Sequence, residues 1–184
     1  MISKHRLELF SDAVIAIIIT IMVLDLHTPA TGGWHGYLGI LPSIGIYALG
    51  FLMVAFVWAA HNHMLAKVET INRKMLWANL GFLFLISLTP LAVRTMGEHP
   101  GSSADAVAFL LPYYAAVQML TLFRLASIRD HAASAELREW HKRRNRMVVI
   151  GQVSMVVLVG LAYVSTLAMM VAFAALAVWV LSTM

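Results

Sequence analysis

The chain has 184 residues, 61% of them hydrophobic and 12% charged, against ~45–50% apolar and ~25% charged in an ordinary soluble domain. A soluble fold of this size cannot bury that excess, so it must face the bilayer. The formal charge of +4 does not point to nucleic acid, because the basic residues are confined to loops between apolar runs. Without cysteine there is no disulfide, thiolate metal site or cysteine nucleophile.

Six helices are predicted, over residues 4–27, 36–67, 74–95, 104–128, 145–163 and 165–183 of one membrane domain. The apolar core of the first is Ala13–Leu24, between Asp12 and Asp25. It is short for the ~20 residues a span needs, so the helix must extend back through Arg6–Asp12. Lys4 and Arg6 precede this run, but Glu8, Ser11 and Asp12 interrupt it and no small-residue cleavage site follows. The segment is therefore expected to be retained as a helix rather than removed as a signal peptide. No charged residue occurs from Met147 to Met184. A single helix there would reach ~57 Å, beyond a ~30 Å hydrocarbon core, so a reversal is expected near Gly160–Thr166.

Alternation of the spans puts twelve Lys and Arg on one side and Arg94 alone on the other. That asymmetry places both termini in the cytoplasm. The longest loop, Ser127–Asn145, is basic and is expected to form a short amphipathic stretch at the inner headgroups.

The first helix carries the ionisable residues inside a span, which are costly there. Arg6 and Phe10 are four apart and share a face, while Asp12 points elsewhere. The pattern fits either a buried polar cluster or interfacial residues reaching water. Ala13, Ile17, Thr20, Ile21 and Leu24 share one face. Around a symmetric pore this stripe supplies apolar rings and one ring of hydroxyls, the elements of dewetting gates and ion coordination; ordinary helix packing produces the same spacing.

The run Arg6-Leu7-Glu8-Leu9-Phe10-Ser11-Asp12 fits an Arg-x-x-x-Phe-Ser-Asp signature, followed by the isoleucine-rich Ala13–Ile21. With Trp58-Ala59-Ala60-His61, Asn72 and Asn79-Leu80, residues 4–95 resemble the transmembrane protein 175 family of potassium channels. The resemblance implies an all-α polytopic subunit whose first helices line a central pore. The single six-helix repeat is similar to the prokaryotic, homotetrameric form in the plasma membrane. It implies a constriction at Ile17, further apolar rings at Ile21 and Leu24, and a hydroxyl layer at Thr20. Ala16 stands where some members have serine. Arg6, Phe10, Ser11 and Asp12 then form a structural motif, with Trp58, His61 and Asn72 as partners. Conduction would be passive, with potassium modestly favoured over sodium, potassium as the permeant ion and no cofactor. A secondary transporter and a proton-conducting protein are the rival readings.

His61 and His63 are two apart, point away from each other on a helix, and are not expected to share a metal. Asp25 and His27 close the first helix and form either an acidic vestibule or a plain terminus. Gly45, Gly50, Ala55, Gly151 and Gly160 permit close helix contact. No catalytic constellation occurs.

Overall fold

The structure, a computed structural model, describes residues 3–26, 29, 31–128 and 135–183. Eight helices occur among the described residues: α1 (Lys4–Leu24), α2 (Gly33–Gly39), α3 (Leu41–Ala66), α4 (Arg73–Ile86), α5 (Thr89–Glu98), α6 (Ser103–Ile128), α7 (Ala135–Val164) and α8 (Thr166–Thr183). Among the described residues, four segments are long and apolar enough to cross a membrane: α1, α3, the α4–α5 run Arg73–Glu98, and α6. Val148–Val164 of α7 and Thr166–Val180 of α8 are shorter apolar stretches.

Three expected helices differ from those observed, each for a local reason. Residues 36–67 form two helices, because the chain turns at Ile40 and restarts with Pro42 in the first turn of α3. Proline suits that position, where a backbone N–H has no partner within the helix. Residues 74–95 are likewise interrupted at Ser87–Leu88, with Pro90 opening α5. At the other end of the molecule, α7 begins at Ala135 rather than 145. The part of the basic loop from Ala135 onward is therefore helix continuous with α7; residues 129–134 of that loop lie outside the described residues.

The reversal between α7 and α8 is one non-helical residue, Ser165, whose Oγ accepts from Ala168 N at 3.2 Å and caps α8. A second tight connection joins α5 to α6 through Gly101, whose φ of 99° lies where side chains are rarely tolerated.

α1 packs on α3, α4 and α5; α4 and α5 pack on α6; α7 and α8 pack together and close against α6 and α3. The interior is built from Phe82, Phe109, Phe123 and Phe173 with Met22, Met53, Met75 and Met169, all essentially inaccessible. Methionine adapts to the gaps that rigid rings leave. Outside, large apolar side chains such as Phe84, Leu91, Val156 and Val164 are exposed, as a lipid-facing surface requires.

Of the small residues expected at helix contacts, Gly50 sits in a close one. A Cβ there would lie 2.4 Å from Val93 Cγ2 and 3.4 Å from Met22 Sδ. Gly45, Gly151 and Gly160 have nothing within 4 Å of that position, so close packing does not explain them within one chain.

Candidate functional site

The entry of α1 is fixed by Ser3, whose Oγ accepts from Arg6 N at 3.3 Å. Beyond it the helix has two unlike sides. Leu7, Ser11, Ile15, Ile18 and Met22 recur every three or four residues and are buried. Arg6, Phe10, Ala13, Ile17, Thr20, Ile21 and Leu24 recur with the same period on the exposed side. Ile17, Ile21 and Leu24 keep 56%, 46% and 79% of their surface open. The apolar stripe is thus not used to pack α1 within this chain. Thr20 Oγ1 lies 3.1 Å from Ala16 O and 3.0 Å from Ile17 O. Its proton is therefore given to the backbone, and its lone pairs remain as acceptors.

The buried side contains one polar position, Ser11, and the bundle satisfies it. Ser11 Oγ donates to Leu7 O at 2.8 Å and accepts from Asn79 Nδ2 at 3.0 Å. Asn79 Oδ1 in turn accepts from His61 Nε2 at 2.6 Å. These directions agree only if His61 carries its proton on Nε2. The His61 ring lies against Phe82, centroids 5.1 Å apart and nearly parallel. All three polar residues are at most 1% exposed. A chain from α3 through α4 to α1 is thereby closed, with each donor matched to an acceptor.

Beside it, Trp58 Nε1 donates to Asp12 Oδ1 at 2.9 Å, tying α3 to α1 a second time. Trp58 thus meets Asp12 directly, whereas His61 reaches Ser11 only through Asn79. Arg6 does not join the buried chain; it lies on the exposed side with Phe10. Asn72 acts elsewhere, at the start of α4. Its Oδ1 accepts from Met75 N at 2.8 Å to cap that helix, while Nδ2 donates to Ala126 O of α6 at 3.1 Å. Asn79, the hub, is absent from the partners that the motif suggests. Its signal in the sequence is an amide within the apolar run of α4, where an unpaired polar group is expensive.

At the opposite end Asp25 caps α1 and lies 3.9 Å from Arg94 Nη1, while Arg94 Nε donates to Glu98 Oε1 at 2.9 Å. The Asp25 carboxylate is thus shared with a cation rather than left as a free acidic vestibule; His27 lies outside the described residues. Among the described residues no group of three metal-ligating side chains occurs. His61 is buried while His63 is exposed, on different sides of α3.

Residues 6–90 match the family described as endosomal/lysosomal potassium channel TMEM175. A Chryseobacterium sp. (strain P1-3) protein named as a potassium channel is 35% identical over 137 residues, which cover 74% of this chain and 71% of that protein. The chain belongs to the TMEM175 family. That family is one of ion channels and not of enzymes, and its members are multi-pass membrane proteins. A Gallus gallus TMEM175, named as an endosomal/lysosomal proton channel, is 31% identical over 54% of this chain and 21% of its own length. The fold matches the crystal structure of a potassium-selective TMEM175 homologue from Chamaesiphon minutus. The TM-score is 0.78 at 22% identity, over 96% of this chain and 95% of that one.

Proposed function

We propose that this chain is one subunit of a passive potassium channel. Six spans per subunit, with Val148–Val164 and Thr166–Val180 as the last two, give an even count and both termini in the cytoplasm of a prokaryotic plasma membrane. Four copies bring their α1 helices together on a common axis. Ile17 then forms the narrowest hydrophobic ring, Ile21 and Leu24 widen it outward, and Thr20 offers acceptor oxygens to a partly dehydrated cation. Potassium is favoured only modestly over sodium, since no ring of backbone carbonyls supports the filter. No cofactor takes part.

One observation carries this reading: the stripe is exposed on a helix whose other side is fully engaged. Protons are a second permeant candidate, supported by the names of the animal relatives.

Proteoliposomes loaded with potassium test the proposal. Ile17→Ala or Ile17→Asn removes the apolar constriction and raises passive potassium flux at least several-fold. Saturable exchange indifferent to Ile17 points instead to a transporter. Because the chain has no cysteine, oxidation of Ile17→Cys reports directly on convergence. Neighbouring α1 helices on one axis bring the Cβ atoms within disulfide reach, and purely monomeric product sinks the shared pore.

A further inference from the structure

A cavity of about 400 Å³, with no lining residue from α1, lies between α3, α6, α7 and α8. Its size falls in the ~300–1,000 Å³ range of small-molecule sites. Phe56, Leu120, Leu158, Phe173 and Leu176 supply apolar walls. Arg124 lines the same cavity and is only 4% exposed, yet its Nε and Nη1 find no hydrogen-bond partner among the described residues. Gln118 Nε2, one helical turn and a half before it, is also without one. Tyr114 and Gln118 of α6 are linked through Gln152 of α7, whose Nε2 donates to Gln118 Oε1 at 3.0 Å.

A buried guanidinium with no anion among the described residues is costly to hold. Its planar fork matches a phosphate, which accepts two parallel hydrogen bonds. Arg124 also has a definite level in the bundle. The Asn72–Ala126 hydrogen bond ties this end of α6 to the start of α4, so Arg124 stands at the same end as Lys67, Arg73 and Lys74. With the orientation proposed above, that is the level of the inner headgroups. The apolar walls offer a free inorganic anion nothing, but they suit an acyl chain.

We propose that this cavity is a binding site for an anionic phospholipid of the cytoplasmic leaflet, with its phosphate on Arg124 and one acyl chain between α6, α7 and α8. The site is separate from the α1 stripe, and its test does not depend on ion flux.

Purified protein is unfolded thermally in phosphatidylcholine nanodiscs with and without phosphatidylglycerol, and separately with inorganic phosphate. Phosphatidylglycerol raises the midpoint of the natural protein by about 5 °C or more, and inorganic phosphate does not. Arg124→Gln removes the shift. Gly151→Phe, on the cavity wall with nothing within 4 Å of its Cβ position, also removes it while keeping the arginine. Both variants keep a folded, cooperative transition in phosphatidylcholine alone. The proposal is overturned by absence of a shift in the natural protein, by a full shift in either variant, or by inorganic phosphate reproducing it. The last outcome marks a free-anion site, and a shift retained in Arg124→Gln marks general surface charge.

Discussion

The two polar regions of this bundle are solved in opposite ways. Near the N-terminal end of α1, Ser11, Asn79 and His61 form a chain in which every side-chain donor atom has an acceptor. In the cavity between α3, α6, α7 and α8, Arg124 and Gln118 keep buried nitrogens without a partner among the described residues. The first region is complete within one chain and behaves as architecture. The second is incomplete and asks for something from outside. Satisfaction, rather than burial, separates a fastening from a vacancy, because a buried polar group costs little when paired and much when it is not.

That contrast can be broken from its satisfied side. Asn79→Leu fills a similar volume but strands the His61 Nε2–H and takes away the Ser11 donor. The expected loss is about 2–3 kcal/mol of stability, read as a lower unfolding midpoint in detergent and a smaller folded fraction. A change under about 0.5 kcal/mol, well below the usual net worth of one such bond, removes the distinction between the two regions. A smaller effect is expected from Gly50→Ala. Val93 is stiff and sits inside contact distance of the new methyl, and overpacking costs ~1–3 kcal/mol, against ~0.5–1 kcal/mol gained from helix propensity. The net loss, measured in the same way, is about 1 kcal/mol and pushes α3 away from α1 and α5. Smallest is Arg94→Ala. Its ion pairs with Asp25 and Glu98 are largely exposed, so the midpoint stays where it was at moderate salt. Equal effects from Asn79→Leu and Arg94→Ala would show that exclusion of water does not decide which pairings matter.

Much of this architecture is legible in the amino-acid order because hydropathy and Lys/Arg placement act over whole segments. The apolar runs behind α1, α3, α4–α5 and α6 are read directly, and Ser165 falls inside the interval where a reversal is required. The interruptions at Ile40 and Ser87–Leu88 are marked by Pro42 and Pro90, but a proline near a span end looks like a boundary rather than a restart. The early start of α7 is hidden by its charges, which suppress hydropathy without opposing helix formation. Asp12 with Trp58, and Ser11 with His61, are reachable through the motif and its companions. Asn79 and Arg124 are not, because their roles depend on the depth at which one helix meets another. Asn72, an amide just before a helix, caps α4 and also bonds Ala126 O of α6.

The hydroxyl of Thr20 has a consequence for any pore built from α1. Its hydrogen is committed to Ala16 O and Ile17 O, so what it turns outward is electron density alone. Several such oxygens around an axis welcome a positive guest and repel a negative one, without a formal charge anywhere in the ring. Discrimination by sign then needs no carboxylate, and salt cannot screen it as it screens a distant charge.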